Sequence, residues 1–160
     1  MIRPLLFTLC LLAAGPVTAL SCVAPTIEST YRFAADSPAD YSIAVGSLRA
    51  AGASIPPDGA VARGGDINDM QGYVQPARFE GQFFSGTDFS LYRATPVTVQ
   101  VSCLSAWCGG FSDVESGLFF FERLDDGSYV LEAGPCGGTV FLDPNEAMLS
   151  QVQACYDSGC

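Results

Sequence analysis

The sequence predicts a mainly β domain: a small antiparallel β-barrel or curled sheet flanked by two helices and stapled by disulfides. Three observations lead there. Alternating apolar runs fill the middle of the chain, capped helical patterns stand on either side of them, and six cysteines follow a leader-like start.

Residues 1–19 read as a signal peptide. Arg3 supplies the positive start, "PLLFTLCLLAAG" is an apolar run short for a bilayer span, and "VTA" offers small residues for cleavage after Ala19. The alternative is a lipid anchor at Cys22, but Ala19 and Leu20 stand in the wrong order for the usual Leu-small-small-Cys pattern. Residues 20–160 are expected to form one domain in the periplasm or outside the cell. No later stretch is long and apolar enough to be an integral membrane segment.

Pro25 and Thr26 open a helix in which Ile27, Tyr31 and Ala34 recur at helical spacing, and Ser37-Pro38 stops it. "YSIAVGSLRA" (41–50) alternates as a strand, with Tyr41, Ile43 and Val45 on one face and Ser42 and Ala44 on the other. Residues 51–72 are rich in Gly, Pro and Asp, lack periodicity and read as a long irregular loop. "YVQPARFEGQFFSG" resumes the strands, with Pro76 suggesting an edge or a bulge and Gly81 a bend. "PVTVQVSC" puts Val97, Val99 and Val101 on one face, and "GLFFFERLDDGSYVLEAG" is a hairpin turning at Asp126-Gly127. The neighbouring Phe83 and Phe84, and Phe119 to Phe121, point alternately to opposite faces, which calls for packing on both. The last helix is expected to start with Asp143 as N-cap, Pro144 at N1 and Glu146 at N3. Ala147, Met148, Val152 and Tyr156 form its apolar stripe, and Gly159 ends it.

Cys10 belongs to the leader. The six others, at 22, 103, 108, 136, 155 and 160, read as disulfides in an exported domain. Zinc sites prefer closer thiolate pairs, and the C-x-x-C of redox catalysts is absent, so neither metal nor cofactor is expected. The two C-x4-C units invite local bridges, Cys103–Cys108 and Cys155–Cys160, which leaves Cys22 with Cys136. In the chain-entropy description each local bridge contributes about 2.2 kcal/mol and the long one about 4.8 kcal/mol.

Seventeen acidic residues face seven arginines, with no Lys and no His. Loss of Arg3 with the leader takes the formal charge from −10 to −11. Such a surface repels phosphate backbones, so nucleic acid is not an expected partner. Without His there is no Ser-His-Asp triad or Cys-His dyad. Asp66, Asn68 and Asp69 could ligate calcium, but Ala77 stands where an EF-hand needs its twelfth-position acid, and a solvated turn explains them. Asp125 and Asp126 read as turn residues. Asp113 and Glu115 could in principle do acid–base work as in a carboxylate hydrolase.

Four stretches resemble the netrin-like domain known from tissue inhibitors of metalloproteinases: "SCVAPTIESTYRFAADSPADYSIAVGSL", "WCGG", "GLFFFERLDDGSYVLEAGPCGGTVFL" and "DPNEAMLSQVQACYDSGC". The resemblance spans nearly all of residues 20–160. It implies an OB-type barrel with an N-terminal and a C-terminal helix packed on it, and it too pairs Cys22 with Cys136. Two family cysteines are missing. Leu20 stands where the inhibitors carry their N-terminal Cys, and the helix Cys that would hold the terminal one falls near Arg32. Cys103 and Cys155 look like local replacements for these partners. The inhibitors bind zinc through that N-terminal Cys, so its absence weakens metalloprotease inhibition, which stands as a further alternative reading for this chain.

In a family-like fold, Cys22, Val23, Ala24 and Pro25 would lie beside Ser105, Ala106, Trp107 and Cys108, forming a stapled binding rim. Trp107 either anchors a partner there or plugs one end of the barrel. The expected function is a non-enzymatic domain binding another extracytoplasmic protein. The competing readings are an OB module for an oligosaccharide or peptide, and the hydrolase.

Overall fold

The computed structural model describes residues 22–55, 72–104 and 107–160. The leader and the Asp66–Asn68–Asp69 loop therefore lie outside the described residues. Helix α1 (Ile27–Asp36) begins as its sequence dictates. Thr26 caps it, accepting from the Ser29 amide at 3.1 Å, while the Ser29 hydroxyl accepts from the Thr26 amide at 2.9 Å. The chain then runs through β1 (Asp40–Ala50), β2 (Tyr73–Phe84), β3 (Phe89–Val101), the two-residue strands β4 (Cys103–Leu104) and β5 (Trp107–Cys108), β6 (Val114–Arg123), β7 (Tyr129–Ala133), β8 (Val140–Leu142) and α2 (Glu146–Ser158).

The main sheet has six strands in the order β1-β2-β3-β7-β6-β8, and β6 also pairs β1. All pairings are antiparallel except β3–β7. The pairings thus come back round to β1, but the sheet is not a clean barrel. β6 and β7 share only the pairs Glu122–Val130 and Arg123–Tyr129, and β8 runs along β6 outside the ring. Curvature comes from glycine. Gly46 of β1 is flanked by Gly81 of β2 and Gly117 of β6 in one row, and the β1–β6 register shifts directly after it. A Cβ at Gly46 would strike the Glu80 carbonyl oxygen and lie 2.7 Å from Gly81 Cα, so the strands close up only because none of the three carries a side chain.

The period-2 pattern of the strands separates two apolar layers. Inside the curl, Leu48, Phe79, Phe83, Val97, Val99, Val101, Phe119, Phe121 and Leu131 form the main core. Phe79 stands at its centre, edge-on to Phe83, Phe119 and Phe121 at 5.3, 5.6 and 5.1 Å between ring centroids. On the outer face Leu118 and Phe120 meet Ile27 of α1 and Val152 of α2, with Tyr41, Ile43 and Val45 packed alongside. The expected facing of β1 and of the phenylalanine runs therefore holds, with Phe84 turned toward α2 and edge-on to Tyr156.

Three local expectations are corrected. Pro76 lies in an inner strand, not on an edge, and the irregularity in β2 falls at Phe83/Phe84. Its carbonyl accepts from the Ala51 amide at 2.9 Å, so its nitrogen faces the side where β1 has already ended and no donor is required. The cap of α2 is Asn145, whose Oδ1 accepts from the Met148 amide at 3.0 Å, while Asp143 sits at φ 47° before it. In α2, Ala147 is exposed, and the buried residues are Val152 and Cys155. Gly159 ends the helix as expected, at φ 77°, donating to the Cys155 carbonyl at 2.9 Å.

All three expected disulfides are present, with Cα–Cα separations of 5.4 Å for Cys22–Cys136, 3.9 Å for Cys103–Cys108 and 4.8 Å for Cys155–Cys160. No helix among the described residues is long and apolar enough to cross a membrane.

Candidate functional site: a stapled hairpin and a tyrosine–arginine cleft

Past the end of β3 the chain turns out into the β4–β5 hairpin. Cys103 and Cys108 are cross-strand partners as well as a disulfide, and Leu104 pairs with Trp107. Trp107 is 53% exposed and Leu104 56%. The plug reading of Trp107 is therefore overturned: the core inside the curl is filled by phenylalanine and valine, and the hairpin carries the indole outside it. Ser105 and Ala106, also expected in the rim, lie outside the described residues.

The hairpin stands on a rigid base. The Gly109 amide donates to the Ser102 carbonyl at 2.9 Å, and the Ser102 amide to the Ala133 carbonyl at 3.2 Å. Gly109 packs so closely on β7 that a Cβ there would run into the Ala133 carbonyl oxygen, a fit open only to glycine. From Ala133 the chain enters a turn closed by Gly137 donating to Gly134 at 3.1 Å, and in that turn Cys136 holds Cys22. Thr30 donates to the Gly138 carbonyl at 2.7 Å, which fixes α1 to the same turn. Residues 133–138 thus tie Cys22–Pro25 to one side and the hairpin to the other. Val23, Ala24 and Pro25 are exposed, Val23 at 90%.

Near the start of β3 lies a second feature, an open cleft of about 420 Å³. Tyr31 of α1, Tyr41 of β1, Tyr129 of β7 and Tyr156 of α2 line it, together with Arg93 of β3 and Arg123 of β6. The Arg93 guanidinium carbon lies 5.4 Å from the Phe83 ring centroid, and Nη1 is 3.5 Å from the Tyr129 hydroxyl. Arg123 is the ladder partner of Tyr129, so the strands bring both arginines to the same cleft. Burial pushes the Tyr31 hydroxyl pKa up, helped by Tyr156 and Asp157. The same cause raises that of Tyr41, helped by Glu122 and Glu132. Both phenols stay protonated across the neutral range.

The sequence reading missed this cleft, because its residues come from seven elements spread over the whole chain. One signal was legible: a two-strand hairpin turning at Asp126-Gly127 sets Arg123 across from Tyr129.

The carboxylates named from the sequence make local contacts. Asp113 Oδ1 accepts from the Ala50 amide at 2.8 Å, Glu115 pairs with Arg49, and Asp126 Oδ1 accepts from the Ser128 amide at 2.8 Å. Among the described residues no group of three or more His, Cys, Asp or Glu is placed to hold a metal ion. Compared with known proteins, the chain matches no family model, no curated protein and no solved structure. Sheet, staples and exposed hairpin define a mainly β, disulfide-bonded domain.

Proposed function

We propose that this chain is an exported, non-enzymatic domain that binds another extracytoplasmic protein through the stapled hairpin at Trp107. The observation that carries the reading is the cross-strand pair Leu104–Trp107, both more than half exposed on a hairpin whose backbone is closed by Cys103–Cys108. A large apolar side chain held rigidly in water is costly unless something covers it, and a pre-ordered anchor loses little entropy on docking.

The same proposal takes the fold as OB-type and netrin-like. Support comes from the five strands β1, β2, β3, β7 and β6, whose pairings form a ring left partly open at β6–β7, as in a five-stranded Greek-key barrel. Further support comes from Arg32. The resemblance puts the family's missing helix cysteine near it, and it donates to the Cys160 carbonyl from Nε at 3.1 Å and Nη2 at 2.7 Å, so on this reading a charged side chain holds Cys160 where the family uses a bridge.

The test is capture from the native host's extracytoplasmic fraction on immobilised protein, comparing wild type, Trp107→Ala and Phe33→Ala. Phe33 is a control of similar exposure on α1. A protein held by wild type and Phe33→Ala but lost from Trp107→Ala, and then shown to bind in purified form with an affinity roughly 30-fold weaker for Trp107→Ala, fits the reading. Equal recovery by all three baits contradicts it.

A further inference from the structure

The cleft at the other end of β3 lies about 33 Å of strand from the hairpin, counted from Arg93 to Cys103, so it serves a separate purpose. Its charge is the opposite of the molecule's. In a chain of 17 acidic and seven basic residues, the described lining holds two guanidiniums and not one carboxylate. The other described arginines are engaged or remote: Arg32 with Glu28 and Cys160, Arg49 with Glu115, and Arg78 outside the lining. Among the described residues neither Arg93 nor Arg123 makes an ion pair. Asp157, Glu122 and Glu132, close enough to act on the tyrosines, stand outside the lining.

We propose that this cleft binds a small ring-bearing molecule with a single carboxylate, the carboxylate held by Arg93 and Arg123 and the ring packed against the tyrosines. Guanidinium forks match a planar carboxylate in two-point contact. Arg93 is positioned in advance by the Phe83 ring and the Tyr129 hydroxyl. Tyr31 and Tyr156, one from each helix, supply flat faces with a donor at the tip. A volume of about 420 Å³ suits one ring and its substituents rather than a polymer. The net negative field of the surrounding chain penalises each further charge on the ligand, which favours a monocarboxylate over a phosphate or nucleotide.

Ligand-observed NMR titration of the intact oxidised protein tests this with benzoate and glucuronate, their neutral counterparts benzyl alcohol and glucose, and inorganic phosphate. At least one carboxylate is expected to bind while its neutral counterpart and phosphate do not. Arg93→Ala and Arg123→Ala each weaken it roughly ten- to hundredfold, and Arg93→Lys weakens it less. Circular dichroism confirms that each variant is folded, and Trp107→Ala leaves the affinity unchanged. Absence of binding by both carboxylates at millimolar concentration, equal binding of neutral counterpart or phosphate, or an affinity indifferent to both arginine substitutions overturns the proposal.

Discussion

Replacing Cys22 and Cys136 together by serine removes the cross-link that ties the start of the described chain to the end of β7. Both cysteines are exposed, so serine buries no hydroxyl and the change reports on the bridge itself. The sequence separation is 114 residues, against 5 for each local bridge. The chain-entropy description assigns about 4.8 kcal/mol to the long loop and about 2.2 kcal/mol to a short one. The folded state keeps its other ties: Ile27 remains buried and Thr30 still donates to Gly138. The loss therefore arises chiefly from a freer unfolded chain. Urea denaturation monitored by circular dichroism compares wild type, Cys22→Ser/Cys136→Ser and Cys103→Ser/Cys108→Ser. The long-bridge variant is expected to be less stable than the short-bridge variant by about 2.6 kcal/mol, roughly 80-fold in the folding equilibrium, with a steeper denaturant dependence because more chain is exposed on unfolding. A long-bridge variant no less stable than the short-bridge one would refute the reasoning that this clamp dominates covalent stabilisation.

The glycine row predicts a sharp contrast in the same assay. Gly46→Ala drives a methyl group into the β2 backbone and costs about 3 kcal/mol, whereas Gly110→Ala, with open space around it, is neutral or stabilising by up to about 1 kcal/mol; equal effects would contradict the account of curvature. Alkaline titration tests the half-buried phenols. Tyr31 and Tyr41 have folded-state pKa values above the unfolded value of about 10, so their contribution is complete below about pH 10 and is lost as pH rises through the folded values. Stability should fall from about pH 10 upward, and less so in Tyr31→Phe/Tyr41→Phe; identical profiles for variant and wild type would remove burial as the cause.

What the sequence made legible was the part written in local chemistry. Pro25 and Thr26 mark the start of α1, Val97, Val99 and Val101 declare one buried face, and the alternation of Phe119, Phe120 and Phe121 requires an apolar layer on each side. The cysteine pairs followed from spacing and from the resemblance together. The first half of β3, residues 89–95, was not legible. Leu91, Tyr92 and Arg93 are all exposed, so no burial alternation marks them, and only the partner strand β2 makes them a strand. β8 is three residues long and is held by Gly117 to Phe119, too short for a period to register. Asp143-Pro144 imitates a helix start, but Asn145 takes the cap because its side chain reaches the Met148 amide. Of the candidate site, the staple and the tryptophan could be named from sequence, and the exposure of Trp107 could not. Whether an indole plugs a barrel or leaves it depends on how fully the phenylalanines fill the interior, which is a property of the assembled sheet.

Because the chain has a single tryptophan, acrylamide quenching of its fluorescence interrogates Trp107, the proposed anchor, alone. In the free protein the account predicts red-shifted emission and efficient quenching of Trp107, followed by protection once the protein captured through the hairpin is added. Blue-shifted, poorly quenched emission before any partner is present, or quenching that the captured protein leaves unaltered, would contradict it.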